Sequence, residues 1–117
     1  MAAPNVVAVA TITGKTTVQL VGTSATAIVS NPGSSNKVFK VNALYVSNVD
    51  ASSNFLLTVD LFRSSTAYRM AFQMPVPVNS TIDVLSKSIY LEEGDSLRLT
   101  ANTASKLEAV ASFEEIS

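Results

Sequence analysis

The chain has 117 residues, 47% hydrophobic and 15% charged, with a formal net charge of −1 and neither histidine nor cysteine. This length fits one domain with its own core, and the missing residue types exclude thiolate chemistry, histidine metal sites and nucleophile–histidine pairs. The eight Lys and Arg are scattered, which argues against a basic patch that binds nucleic acid.

The residue composition points to β-structure. The sequence contains 15 Val and 11 Thr, which are branched at Cβ and favoured on pleated sheets. No run approaches the ~20 consecutive apolar residues that are needed to cross a bilayer. The first basic residue is Lys15, so the N-terminal segment does not begin with the basic region that is typical of a signal peptide. We therefore predict an all-β protein without a membrane span.

The first third of the chain predicts three short extended segments. Residues 6–13 form either a first strand or a docking arm, which we expect Gly14 to end. Residues 16–21 and 25–30 are two further strands, because apolar and polar side chains alternate in the first and small β-formers fill the second. Residues 31–36, NPGSSN, are a loop.

The middle of the chain predicts the core. Residues 38–49 are apolar at both parities, which indicates a strand buried on both faces or a β-bulge. After a turn at 50–54, the alternating runs 55–62 and 68–74 predict a hairpin that carries the largest core side chains. Residues 75–78, PVPV, predict a crossover between sheets, since proline lacks the donor that a central strand needs.

The last part of the chain predicts short strands at residues 82–85 and 88–91, followed by a C-terminal pair. Residues 92–95, EEGD, look like a hairpin connection in which Gly94 adopts a positive φ. About eight to ten short strands at regular spacing predict one antiparallel β-sandwich over residues 1–117, either jelly-roll or Ig-like. Residues 1–11 are expected to be an extended N-terminal arm or an edge strand.

The C-terminal block SIYLEEGDSLRLTANTASKLEAVASFEEIS carries a resemblance to known proteins. It resembles small β-sandwich structural proteins of tailed bacteriophages, notably marine and cyanobacterial ones, in which an ending like LEEGDSLRL … EEIS recurs. The resemblance concerns roughly the C-terminal half of the chain. It implies a virion component, assembled in the cytoplasm of a bacterial host, and it transfers no catalytic residue.

No catalytic, cofactor-binding or metal site is predicted from the side chains. Lys87 lies between two serines, but neighbours on a strand point to opposite faces, so a Ser–Lys dyad is not expected. The acids at 92–95 offer oxygen ligands for calcium, yet their spacing matches no EF-hand loop, and we interpret them as a solvated turn. Glu114 and Glu115 offer no better ligand set.

Carbohydrate-binding β-sandwiches are the main alternative, because they also lack catalytic residues. Their sugar sites present exposed aromatic platforms. Only Tyr90 and Phe62 are expected to be exposed rings here. The parity of the other large rings predicts that they are compatible with the core: Tyr45, Phe55, Tyr68 and Phe72.

Taken with this residue inventory, the resemblance implies a non-enzymatic virion protein, with capsid decoration (cement) as the first choice. We expect it to bind the major capsid protein or other virion proteins through β-edge and arm contacts, as a homo-oligomer or bound to a lattice. A neck, head–tail completion or tail-associated protein is the alternative, and a carbohydrate- or receptor-binding module is the second. No cofactor, nucleic acid or membrane is predicted as a partner.

Overall fold

The computed structural model describes residues 11–117, which form nine β-strands and no helix. No segment of this range is a helix long and apolar enough to cross a membrane. The strands are β1 (Ile12–Leu20), β2 (Thr26–Ser30), β3 (Val38–Asn48), β4 (Phe55–Arg63), β5 (Thr66–Val76), β6 (Thr81–Asp83), β7 (Ile89–Leu91), β8 (Ser96–Ala101) and β9 (Leu107–Ile116).

The strands form two antiparallel sheets. Sheet A has the order β1-β9-β3-β6, with β7 also paired to β3, and sheet B has the order β2-β8-β4-β5. When β6 and β7 are counted as two halves of one strand, the first strand pairs with the last, the second with the second last, and so on inward. This nested pairing is jelly-roll topology rather than Ig-like topology.

One apolar core fills the space between the sheets. Alternate residues of each central strand point into it, as expected for strands with one buried and one solvated face. The side chains that lie fully inside belong to both sheets: Val41, Leu44, Val46, Leu57, Val59, Leu91, Leu97, Leu99 and Leu107. The all-β sandwich predicted from the composition is confirmed.

Several local predictions are also confirmed. The register of β3 against β9 shifts between Val41 and Ala43, which is the bulge that the mixed parity indicated. The β4–β5 hairpin turns at Ser64 and Ser65, both with positive φ, as in a two-residue hairpin loop. The crossover predicted at residues 75–78 is confirmed only in part, because Pro75 and Val76 still belong to β5, an edge strand of sheet B paired with β4, and the chain crosses to sheet A after Val76.

Two turn predictions were wrong. Gly14 does not end a strand, since it lies inside β1 opposite Glu114. Residues 92–95 do not join a hairpin, because β7 belongs to sheet A and β8 to sheet B. Gly94 nevertheless has the expected positive φ of 87°. The C-terminal strands β8 and β9 likewise lie in different sheets. Of the eight connections between the nine described strands, six cross between sheets and only the β4–β5 turn joins hydrogen-bonded neighbours.

The aromatic predictions failed mainly at β5. Tyr68 and Phe72 are 55% and 60% exposed, and Met70 is 39% exposed. The register of β5 against β4 shifts twice, and Gln73 has a positive φ, so simple alternation does not hold along this edge strand. β5 contributes only Val76, which is fully buried, and the partly buried Met74 and Ala71 to the core, so most of the hairpin's core side chains come from β4. The predicted arm at residues 1–11 lies, apart from Thr11, outside the described residues.

Candidate interaction surfaces

The edge of β1 is unprotected. Within residues 11–117, β1 pairs only with β9, in an unbroken register of nine residues without a bulge or proline. The edge strands of sheet B are different, because β2 contains one register shift and β5 contains two register shifts and Pro75. Bulges and prolines are devices that block strand addition at an edge. The other edge of sheet A consists of β6 and β7, which are only three residues long each, and short edge strands offer little to a partner. Among the described strands, β1 is therefore the longest uninterrupted edge.

A groove runs between β1 and β2, which lie side by side at one margin of the sandwich. It has a volume of about 610 Å³ and is lined by Ile28, Phe39 and Phe113 together with polar residues. The Phe39 and Phe113 rings stack with centroids 5.5 Å apart. Gln19 spans the two strands, because its Nε2 donates to the Ala27 carbonyl oxygen at 3.1 Å. The groove is therefore a mixed site, with a few apolar side chains at its base and a larger number of polar and charged ones around them.

Three charges meet at one end of this groove. Glu115 accepts hydrogen bonds from Lys15 at 3.0 Å and from Lys37 at 3.1 Å. Burial raises the pKa of Glu115, but the two ammonium groups outweigh this effect and leave the pKa below its usual value. The arrangement joins β1, β9 and the loop before β3.

The outer face of sheet A carries an apolar row. Val18, Val110 and Tyr45 are direct cross-strand partners on β1, β9 and β3, and they are 74%, 39% and 46% exposed. Tyr45 was predicted to be compatible with the core. The bulge in β3 explains the error, since it reverses the parity and turns Leu44 inward instead.

The outer face of sheet B carries two arginine–phenylalanine stacks. The Arg98 guanidinium lies 3.4 Å from the centre of the Phe62 ring, and that of Arg69 lies 5.2 Å from the centre of Phe72. Asp60 sits between the arginines, opposite both in the strand register. Both of its oxygens accept from Arg69 Nη1, at 2.8 and 2.7 Å. Sequence alternation did not reveal this row, because it depends on which strands become neighbours.

The acidic turn that offered a calcium interpretation is occupied by protein contacts. Asp95 is buried and accepts from Arg63 Nε at 2.8 Å and Nη2 at 2.5 Å. Glu92 accepts a hydrogen bond from Nη2 of the same arginine at 3.0 Å. Glu93 accepts a hydrogen bond from the backbone N–H of Asn36 at 2.7 Å. Within residues 11–117, no cluster of three acidic residues is arranged to hold a metal ion.

The remaining side chains considered as sites lie apart from these surfaces. Lys87 and its two serines are exposed in the loop between β6 and β7. Tyr90 is 48% exposed, as predicted. Phe62 is half-buried under Arg98 rather than fully exposed. The structure adds Tyr45, Tyr68 and Phe72 to the exposed rings.

No family model and no curated protein matches the chain. A solved structure described as "Bacillus endospore appendages form a novel family of disulfide-linked pili" is similar at a TM-score of 0.55 and 12% identity, over 92% of this chain and 88% of that chain. A pentameric capsid protein isolated from metagenomic phage sequences matches at a TM-score of 0.44 and 20% identity, over 86% of this chain and 62% of that chain. A second structure of that description gives 0.43 and 20%, over 86% and 60%.

Proposed function

We propose that this protein is a non-enzymatic structural subunit of a bacteriophage particle, and specifically a capsid decoration protein. Three features support the proposal. The C-terminal block resembles small phage structural proteins, jelly rolls commonly build viral capsids, and the margin at β1 is open to a partner. The similar Bacillus structure belongs to pili, which are also repeated assemblies. Since these 117 residues contain no cysteine, they would assemble without disulfide links.

The observation that carries the proposal is the free edge of β1. β1 is paired with β9 over nine regular positions, and within residues 11–117 no strand pairs with its other side, toward which alternate residues point their N–H and C=O groups. Such an edge accepts an added strand, with backbone hydrogen bonds supplying affinity. On a capsid, each such contact can be weak, because the lattice repeats it many times.

The segment ahead of β1 is the proposed second contact. Residues 1–11 read MAAPNVVAVAT and contain no charged side chain, so the segment suits an apolar surface on a neighbouring protein. We expect a variant without residues 1–11 to fold and to lose binding to particles that lack the protein. A matched control replaces Val6, Val7 and Val9 with serine, which keeps the length and removes the apolar side chains.

Co-sedimentation with depleted particles measures this binding, and thermal unfolding measures the fold. The arm proposal predicts that both variants melt like the parent protein and stay in the supernatant. An unfolded truncation variant would mean that the segment is part of the core. Full binding by both variants would mean that the arm makes no contact with the particle.

A carbohydrate- or receptor-binding module is the second candidate, and one observation favours it. Tyr45, Tyr68, Phe72 and Tyr90 are exposed, which is more ring surface than the sequence predicted, and exposed rings are what sugar sites use. A glycan array probed with the parent protein and with Tyr90→Ala tests this function. Binding that disappears with Tyr90→Ala supports it, and an array without any bound glycan rejects it.

A further inference from the structure

The strand β1 has its amphipathicity reversed. Its side chains that face the sandwich interior are the polar Lys15, Thr17 and Gln19, which stand opposite inward residues of β9. Its outward side chains include Val18 and Leu20, 74% and 56% exposed. A sheet face that remains in water normally shows the opposite pattern, with polar side chains outside. The reversal indicates that the outer face of sheet A is covered in the functional state.

This apolar face is bordered by acidic side chains. Glu108 is the cross-strand partner of Leu20, and Asp83 is the partner of Tyr45. Within residues 11–117 neither acid takes part in an ion pair. Lys40 is also on this face, but its cross-strand partner is a third acid, Glu114. The outer face of sheet A is thus apolar at its centre and negative around it.

The outer face of sheet B is complementary in charge to the outer face of sheet A. Its charged row consists of Arg98, Asp60 and Arg69, so its net charge is positive. Asp60 is already engaged by Arg69, whereas Arg98 has no carboxylate partner among the described residues and lies over Phe62 instead. Arginine and aromatic side chains are the residue types enriched at the energetic centres of protein interfaces.

We propose that two copies of this chain associate through unlike faces, the outer face of sheet A on one copy packing against the outer face of sheet B on the next. Pairing of either face with itself would place acid against acid or arginine against arginine, which opposes association. The unlike pairing sets Glu108 and Asp83 against Arg98 and buries the apolar row against the two phenylalanines. Such a heterologous contact generates rings or filaments.

The size of the faces sets the strength of this contact. Four strands spaced by about 4.8 Å and about 30 Å long offer roughly 500 Å². A standard interface buries about 800 Å² on each partner. The contact is therefore weak between two free copies, and it becomes effective where copies are held side by side. Particle binding through the β1 edge is a separate property, so either proposal can fail without the other.

Sedimentation velocity of the full chain over a wide concentration range tests the inference. Val18→Lys places a positive charge in the apolar row of sheet A, which would face the arginines of sheet B, and Phe72→Glu places a negative charge on sheet B, which would face the acids around sheet A. Both positions are largely exposed, 74% and 60%, so the fold tolerates the change. Ser86→Lys and Ser86→Glu, in an exposed loop, are the controls of equal charge. Leu20→Lys is a second sheet A variant, and thermal unfolding verifies the fold of each.

The parent protein and both Ser86 variants are expected to form dimers and larger species as concentration rises, and each face variant is expected to associate at least about tenfold more weakly. An equimolar mixture of Val18→Lys and Phe72→Glu should form a dimer and stop there, because one intact face of each kind remains. Association of either variant alone as strongly as the parent protein would overturn unlike-face pairing. A parent protein that stays monomeric at millimolar concentration would show that another protein covers sheet A.

Discussion

The ion pair between Arg63 and Asp95 gives the most quantitative prediction about the fold. Arg63 ends β4, and Asp95 lies in the turn that carries the chain from sheet A to sheet B, within the LEEGDSLRL block. The carboxylate accepts two hydrogen bonds from the guanidinium and one, at 2.8 Å, from the backbone N–H of Glu92. The pair therefore fixes the position at which the chain changes sheets.

The expected cost of removing Arg63 follows from the exposure of the two partners. Breaking a fully buried pair costs about 3–5 kcal/mol, whereas exposed pairs contribute about 0–1 kcal/mol. The Asp95 side chain is 2% exposed and that of Arg63 is 42% exposed, so this pair is intermediate. We expect Arg63→Ala to lower the free energy of unfolding by about 2 kcal/mol, and Arg63→Lys, which keeps the charge but loses the fork, by about half of that.

The same pair predicts how the difference depends on pH. Burial raises the pKa of Asp95, but Arg63 and the Glu92 N–H outweigh it, and the pKa lies below the usual value. A lowered pKa means that the stabilisation is complete above the pKa of the unfolded carboxyl, about 3.9, and is lost as pH falls through the folded value. The gap between the parent protein and Arg63→Ala should therefore close in acid.

Urea unfolding at a series of pH values measures both quantities. At pH 7 the midpoint of Arg63→Ala should lie roughly 1 M urea below that of the parent protein, given slopes of about 1–3 kcal/mol/M. Two results would refute this reasoning. One is a midpoint within about 0.2 M of the parent protein at pH 7, and the other is a gap that stays constant from pH 7 to pH 3.

Two further predictions concern backbone conformation, and both are measured as changes in the free energy of unfolding. Replacing Ser64 and Ser65 with Asn-Gly should stabilise the protein by about 0.5–1 kcal/mol, because both residues have positive φ and this dipeptide suits a type I′ turn. A loss of stability would contradict the turn assignment. Gly94→Ala should lower the free energy of unfolding by about 1–2 kcal/mol. The cause is backbone strain at φ 87° alone, since no atom lies within 4 Å of the added Cβ. An unchanged stability would show that the turn relaxes.

Much of the fold could be predicted from local pattern. Alternation located β3, β4, β8 and β9, and the mixed parity in β3 indicated its bulge before the structure showed it. These signals are local, because side chains on a strand alternate between two faces whatever the strand pairs with. The NPGSSN loop between β2 and β3 was evident for the same reason, since turn residues act through their own backbone preferences.

Other features depend on which strands become neighbours, and the sequence could not reveal them. The EEGD turn looks the same whether it joins paired strands or crosses between sheets. Tyr45 was misassigned because the position of the bulge in β3, rather than its existence, decides the parity of the ring. The rings of β5 face solvent because β5 is a bulged edge strand. Alternation alone does not report whether a strand is central or at an edge.

The candidate surfaces also combine features that the sequence alone predicts with features that depend on which strands become neighbours. The absence of histidine and cysteine, which excludes thiolate chemistry and histidine metal sites, could be stated from the sequence. The Arg98–Phe62 and Arg69–Phe72 stacks arise from the order β8-β4-β5, and no spacing in the sequence indicates them. The reversed polarity of β1 was visible in residues 16–21, but it could be recognised as reversed only once the inner face was known.

The central claim is that the protein decorates a phage capsid, and its copy number in purified particles tests that claim most directly. Quantitative mass spectrometry, with the major capsid protein as the internal reference, measures the ratio. The account predicts a number comparable with that of the capsid lattice. A dozen or fewer copies would contradict decoration and place the protein at the neck or tail. Complete absence from the particle would contradict a structural role and favour a free binding module.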